Sequence, residues 1–536
     1  MQAAPAVVLG LGWLALVATG LAARPLLPPD ETRYVAVAWE MWLRGDFLVP
    51  HLNGLPYSHK PPLLFWLVDA GWGLFGVNDW WPRTIPALAS LATALLTVAL
   101  GLRLWPASPR RAWLAGTVLL GGLLWSLFTT ALMFDLLLAL WAVVGVWGIL
   151  VAAAGARRRG FALLTAALAL GVLTKGPVIY LHLLPLALTA PWWRRERGGP
   201  GLPRPGAWYG GLILAALLAA ALALAWALPA ARAGGPAYAE AILWGQTAHR
   251  VTESFAHQRP WFWYLPMLPV ILFPWLLWPP FWRWRSHAVD GDWRARMLLA
   301  WLLPVFLAFC LVSGKQLHYL LPLFPGLALL LARAADRSPP AGGPAQSLPA
   351  LVWALAGVLL LAAPGMAGHG AWPAWLAFLP PWAGGAMLAL AGAALWPWRS
   401  EPAARRLPRL AAVAMAAVAV LQAGLFPALL RQYDVRPLAR YLGAVQARGI
   451  PLAHLGKYHG QFHFYGRLER PLEVVSRPAL APWAAAHPDG QVVLYTRRDP
   501  VGRGLHPLAS QPYRSGRFVV LAASELAGRP GLVQGL

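Results

Sequence analysis

Residues 136–153 read Leu136-Leu-Leu-Ala-Leu-Trp-Ala-Val-Val-Gly-Val-Trp-Gly-Ile-Leu-Val-Ala-Ala153, with Asp135 at one end and Arg157-Arg158-Arg159 just past the other. A helix needs about 20 predominantly apolar residues to cross a bilayer, so this run is close to span length. Arginine collects on the cytoplasmic side of such spans, which orients it. Twelve further runs of similar character lie near 5–22, 84–102, 113–130, 161–174, 177–191, 208–229, 263–281, 297–312, 317–332, 349–366, 375–396 and 410–430. Runs 161–174 and 177–191 are separated only by Thr174-Lys175-Gly176-Pro177 and read as two helices or one broken one. The first run lacks the basic start of a secretory signal, so it reads as a span.

Working outward from these runs, the gaps alternate in charge. With a cytoplasmic N-terminus, the inward gaps carry twenty basic residues, among them Arg110, Arg111, Arg194, Arg294, Arg333 and Arg405, while the short outward gaps carry Lys175 and Lys315. Removing one span would invert every later loop, so the charge pattern supports the whole count. Composition agrees: of 536 residues, 59% are apolar and 12% charged, with mean hydropathy +0.54. Soluble domains carry about 25% charged residues, so a soluble enzyme, a disordered chain and a solenoid are excluded. The net charge of +24 is largely topological, and nucleic acid is not an expected partner. Cys310 is the sole cysteine, so no intramolecular disulfide exists.

The expected fold is therefore an all-α polytopic membrane domain over 1–430, with about 13 spans and a long first extracytoplasmic loop at 23–83. A small C-terminal α/β domain over 431–536 follows on the same side, with a helix near 435–447 and strands at 491–495 and 517–521. In the first loop, Asp30-Glu31-Thr32-Arg33-Tyr34 opens an amphipathic helix that Asp30 is placed to cap and Gly45 to end. Its Trp39 and Trp42 suggest a helix lying in the membrane interface, and 63–75 reads as a second one. Tyr57-Ser58-His59-Lys60 precedes that second helix, where Lys60 is placed to snorkel or to clamp a phosphate beside Arg33.

Ionisable groups near the bilayer mark function by default. In this topology Asp135, Lys175, Lys315 and His318 fall at the outward ends of different spans, together with the loop residues Asp30, Glu31, Arg33, His59, Lys60, His249 and His257. One extracytoplasmic cavity holding carboxylates and several cations is the expectation, suited to a lipid phosphate or diphosphate. His59, His257 and a carboxylate are the expected ligands of a divalent metal, the only cofactor considered; no organic cofactor is expected. Trp261-Phe262-Trp263-Tyr264 is a candidate wall for a sugar or lipid pocket.

These residues resemble a known family. Asp30-Glu31-Thr32-Arg33-Tyr34, Gly45-Asp46-Phe47-Leu48-Val49-Pro50-His51-Leu52-Asn53-Gly54, Lys60-Pro61-Pro62, Met133-Phe134-Asp135, Leu173-Thr174-Lys175-Gly176-Pro177, His257-Gln258-Arg259-Pro260-Trp261 and Ser313-Gly314-Lys315-Gln316-Leu317-His318-Tyr319 follow the order found in bacterial lipid A aminoarabinose transferases. Those enzymes belong, with the protein O-mannosyltransferases, to the polyprenyl-phosphate-sugar-dependent GT-C superfamily. The resemblance implies a glycosyltransferase of the bacterial inner membrane with a periplasmic active site, a polyprenyl-phosphate sugar donor and a lipid, glycan or protein acceptor. It implies Asp30 and Asp135 as essential acids. Arg33, Tyr57 and Lys60 would contact the donor phosphate, with Lys175 and Tyr319 near it; Glu31, Tyr34, Lys315 and His318 complete the substrate-binding set. His59 stands where those enzymes usually carry Glu. Hexosyl or mannosyl transfer to protein or glycan is the alternative within the class. A lipid-linked-sugar flippase is the alternative outside it, but would place polar residues at the bilayer midplane and on both faces. A membrane scaffold for a partner of the C-terminal domain would leave the outward charges unexplained.

Overall fold

The computed structural model describes residues 3–194, 204–245, 258–282, 292–338, 344–369, 372–395 and 402–527. Among these, eight helical segments are long and apolar enough to cross a membrane, including Trp80–Leu104, Asp135–Ala153 and Pro205–Gly234. Each of the thirteen apolar runs contains helix, but several are interrupted where an unbroken span was expected. The run at 113–130 divides at Gly121-Gly122 into Pro109–Leu120 and Leu123–Phe128. A Cβ on Gly121 would lie 2.8 Å from the Ala411 Cα, so the break lets a neighbouring helix approach. The run at 263–281 becomes Tyr264–Ile271, Trp275–Leu277 and Pro279–Trp282, because Pro269, Pro274, Pro279 and Pro280 remove donors and clash with preceding turns. The run at 317–332 opens as a 3-10 stretch, Leu317–Leu323, before the helix Phe324–Arg337. Arg157–Lys175 and Val178–Leu188 are two helices, separated at Gly176-Pro177.

The first loop forms its two helices, Asp30–Arg44 and Leu63–Phe75, with one correction to the expected picture. Pro29, not Asp30, holds the N-cap position, and no side chain caps the helix; Asp30 sits in the first turn and turns to Arg33. The first helix does not lie with a free polar face on a surface, since Glu31, Thr32 and Tyr34 through Met41 are buried. The C-terminal domain covers it: the Trp39 indole N–H donates to the Leu468 carbonyl at 2.9 Å. An apolar stripe reveals that a face is covered without revealing what covers the opposite one.

Between the two helices, β1 (His51–Leu52) and β2 (Leu55–Pro56) pair antiparallel around Asn53-Gly54, both at positive φ (53° and 80°). This is the sequence that a two-residue hairpin turn favours. The Glu40 carboxylate accepts from the Asn53 and Gly54 amides, tying the hairpin to the preceding helix. The C-terminal sheet runs β4-β3-β5-β7-β6, from β3 (Leu452–Leu455), β4 (Glu473–Val475), β5 (Gln491–Thr496), β6 (Ala509–Tyr513) and β7 (Gly516–Ala522). The first three are parallel and the last two antiparallel. Alternation in β5 sends Val493 to the Arg436–Ala447 helix and Val492 and Leu494 to the Leu480–Ala486 helix, so both faces of the sheet are covered.

Candidate functional site

Antiparallel packing brings the start of Asp135–Ala153, the end of Arg157–Lys175 and the start of the 317–337 segment to one end of the helical domain. There the Asp135 Oδ1 receives the Lys175 ammonium at 2.5 Å, and Oδ2 faces the His318 Nε2 at 3.8 Å. Asp135 is 2% exposed, so its charge is compensated by the partners that surround it rather than by water. Lys175 also lies 4.4 Å from the centre of the Tyr319 ring, and His318 packs between Phe128 and Tyr319.

The loop helix supplies the second half. Asp30 accepts from the Arg33 guanidinium and its side chain stays 42% exposed, which leaves it free to meet a substrate. Arg33 lies over Tyr34, and its Nε is buried without a hydrogen-bond partner. An anion that reaches an orphaned guanidinium N–H satisfies it. Burial and the nearby Asp30 charge push the Tyr34 hydroxyl up, keeping it protonated as a donor. Tyr57 is buried against Phe65 and His59, and the Lys60 ammonium sits 5.6 Å from the centre of the Phe134 ring, one residue before Asp135. Lys60 is close enough to interact electrostatically with Asp135 and His318, and Asp30 with His318, so the two halves form one cluster.

A cavity of about 340 Å³ opens beside the cluster. His59, Lys60 and Lys175 line its charged end, while Ala223, Leu224 and Trp226 from the helix Pro205–Gly234 line its apolar side. The cavity is thus amphipathic, cationic at one end and apolar along one wall. No single run of sequence signals this wall: Ala223 and Leu224 read as ordinary span residues.

Two members of the expected set occupy structural positions. Glu31 accepts from Arg24 at 2.6 Å, from the Leu27 amide at 2.7 Å and from the Leu132 amide at 2.6 Å. It therefore ties the first loop to the segment that presents Asp135. Lys315 is 2% exposed and donates to the carbonyls of Arg259, at 3.1 Å, and Val312. Of the expected aromatic wall, Tyr264 is buried and donates to the Gln316 carbonyl, whereas Trp261 is 64% exposed. His249 and His257 lie outside the described residues. Among the described residues no three His, Cys, Asp or Glu side chains converge as a metal site, those around His59 included. No sequence pattern marks Arg24 or the 456–461 loop of the C-terminal domain; Arg24 pairs with Glu31, seven residues on in the helix Asp30–Arg44.

The sequence profile described as dolichyl-phosphate-mannose-protein mannosyltransferase matches residues 59–226. The chain is 33% identical to the undecaprenyl phosphate-alpha-4-amino-4-deoxy-L-arabinose arabinosyl transferase of Edwardsiella ictaluri over 369 residues, 65% of this chain and 64% of that one. It is 34% identical to the protein of the same name from Aeromonas salmonicida over 322 residues, 58% of this chain and 56% of the relative. The chain thus spans somewhat less than two thirds of the length of these relatives. The fold matches the crystal structure of ArnT from Cupriavidus metallidurans bound to undecaprenyl phosphate with a TM-score of 0.79, at 21% identity and covering 97% of both chains. The chain therefore has a GT-C-type membrane fold with a small C-terminal sheet domain, and it resembles the lipid A aminoarabinose transferases.

Proposed function

We propose that the protein is a multi-pass membrane glycosyltransferase that moves a sugar from undecaprenyl phosphate to a lipid acceptor of the lipid A type at the periplasmic face. One observation carries this reading. Lys60 and Lys175 line the charged end of a cavity whose wall is apolar, as a polyprenyl phosphate requires, and the ion pairs of Lys175 with Asp135 and of Arg33 with Asp30 belong to the same cluster. The names of the relatives support the donor, and the arginine asymmetry between the two ends supports the orientation.

In the reaction an acceptor oxygen attacks the anomeric carbon from the face opposite the phosphate. The bond from that carbon to the phosphate oxygen breaks, its electron pair stays on the phosphate, and the configuration inverts. The developing charge falls where Arg33, Lys60 and Lys175 are fixed, so stabilisation needs little reorganisation. Asp135, buried and bound to Lys175, orients that lysine. Asp30, accessible beside Arg33, takes the proton when the acceptor is a hydroxyl; an ionised acceptor phosphate carries none to remove. Hexosyl transfer to protein or glycan is the second reading, favoured by the mannosyltransferase profile over 59–226.

The test incubates the purified protein with a panel of undecaprenyl-phosphate sugars and candidate acceptors and identifies the product by mass spectrometry. A glycosylated lipid A supports the proposal, and glycosylated protein supports the second reading. Accessibility labelling of single cysteines at positions 30 and 135 in a Cys310→Ser background provides an independent check. Labelling from opposite sides of the membrane would refute a common site.

A further inference from the structure

A second cavity, of about 370 Å³, lies in the C-terminal domain and takes no part in the donor site. It forms at the carboxyl ends of β3 and β5, through His454, Leu455 and Gly456 from one and Leu494 and Tyr495 from the other. From β3 the chain proceeds to β4 on one side, and β5 then pairs on the other, so the strand order reverses here. In open α/β sheets this crevice is where ligands bind. Lys457, Arg477 and Arg514 line it, Tyr495, Tyr513 and Phe518 give it an aromatic wall, and none of its lining residues is acidic.

The cavity also borders the loop that carries Asp30. Pro29, the residue before Asp30, forms part of its lining. The loop Gly456-Lys457-Tyr458-His459-Gly460-Gln461 rests on the helix that carries Asp30: a Cβ on Gly460 would lie 3.1 Å from the Ala36 Cβ and 2.5 Å from Leu52 Cδ1. His459 is close enough to feel the charges of both Arg33 and Asp30. Arg514 occupies the first position of the two-residue turn between β6 and β7 at φ 52°, a conformation Gly or Asn usually fills, and its guanidinium lies 5.2 Å from the centre of the Tyr513 ring.

Resting on the transferase reading above, we infer that this cavity seats the phosphorylated sugar headgroup of the lipid acceptor, with Lys457 and Arg514 as anion ligands and Tyr495 and Phe518 as a stacking wall, and so presents the acceptor to Asp30. Cations suit the phosphate, and aromatic faces suit the C–H face of a sugar ring. The donor phosphate has its own cations in Arg33, Lys60 and Lys175, so a second cationic aromatic cavity, bordered by Pro29, fits the second substrate.

The test uses the full-length protein in lipid nanodiscs with three probes: lipid A, lipid A freed of its phosphates, and undecaprenyl phosphate. Wild type binds lipid A at least tenfold more tightly than its dephosphorylated form. The double variant Lys457→Gln/Arg514→Gln loses that tenfold preference and binds undecaprenyl phosphate within about twofold of wild type. Lys457→Arg/Arg514→Lys restores the preference, which separates lost charge from lost folding. Unchanged lipid A binding in the Gln variant, or equal binding of both forms of lipid A by wild type, overturns the inference. Transfer activity separates the two readings. Phosphate-selective binding without sugar transfer from any donor would sink the transferase while leaving the cavity assigned, and transfer indifferent to the Gln pair would sink the cavity alone.

Discussion

Asp30 and Asp135 have opposite environments, and their substitutions should therefore fail differently. Asp30 is exposed enough to touch an acceptor, so Asp30→Asn is expected to lower transfer to a hydroxyl acceptor about 100-fold or more while undecaprenyl phosphate binding holds. Turnover and binding measured on one preparation check this; an equal loss of both would assign Asp30 to the donor. Asp135 is buried against Lys175, so Asp135→Asn releases a phosphate-holding cation and should weaken donor binding as well. Arg33→Gln and Lys175→Gln each remove a charged hydrogen-bond donor, worth about 1.5–3 kcal/mol, and are expected to weaken undecaprenyl phosphate binding roughly 10- to 100-fold. Unaltered binding in both variants would place the phosphate elsewhere. That these residues converge was legible from ionisable types at matching ends of separate spans. That one carboxylate is open and the other enclosed was not, because exposure depends on neighbours distant in sequence, such as Lys175 and His318 around Asp135.

At the scale of elements, the site is held by connections between segments. Glu31 bonds Arg24 and the Leu27 and Leu132 amides, and the Arg83 guanidinium donates to the carbonyls of Arg24 and Gly20. Arg24→Leu leaves Glu31 buried without its counter-charge, which is expected to cost about 3–5 kcal/mol and to lower the thermal midpoint in detergent. A midpoint matching wild type would mean that water replaces the guanidinium. The strand end beneath the second cavity predicts a pH response. Burial holds the His454 imidazole down to about 4, from an ordinary value of 6.5, while its Nδ1 lies 3.1 Å from the Gly456 carbonyl. The unfolded chain therefore binds the proton more readily, so His454's contribution to stability is full above pH 6.5 and is lost as pH falls toward 4. His463, also held at about 4 by burial, acts in the same sense, whereas Glu40, 3.7 Å from it and pushed up by burial, acts in the opposite one. Protection of the C-terminal sheet against hydrogen exchange in the full protein, corrected for the intrinsic pH dependence of exchange, should fall from pH 7 to pH 5, and His454→Gln should flatten that slope. Helix boundaries such as Asp30–Arg44 were legible from apolar period and Gly45, but the break at Gly121 and the π-helical turn Leu421–Leu425 within the last apolar run were not. A run that is apolar throughout gives no period to show where it bends.

At the scale of the whole molecule, the C-terminal domain closes over the loop that carries Asp30. The Asn53 side chain pairs with the Leu472 backbone in both directions at 2.9 Å, the Trp39 indole reaches Leu468, and the Leu26 amide donates to the Tyr465 hydroxyl at 2.9 Å. Asn53→Ala removes two of these bonds, worth about 1–3 kcal/mol together, and should raise protease cleavage near 431–435 severalfold without changing membrane insertion. A cleavage rate equal to wild type would show that the apolar contacts hold the domain alone. The arginines at the opposite end are engaged differently, Arg111 with Asp336 at 2.7 Å and Arg333 with Asp292 at 3.1 Å, in keeping with anchoring. Read alone, the chain determined its membrane class, the small sheet domain that follows the helices, the gathering of acids and cations at one end of the spans, and the family it resembles. All of these follow from local composition or from motifs contiguous in sequence. Only the tertiary structure decided that the loop helix is enclosed between domains, that Glu31 and Lys315 are tied to backbone groups, and that a second cationic cavity borders Pro29, next to Asp30 in the chain. Each of these depends on which distant segment fills the space beside a residue, and long-range packing leaves no periodic trace in the segment it covers.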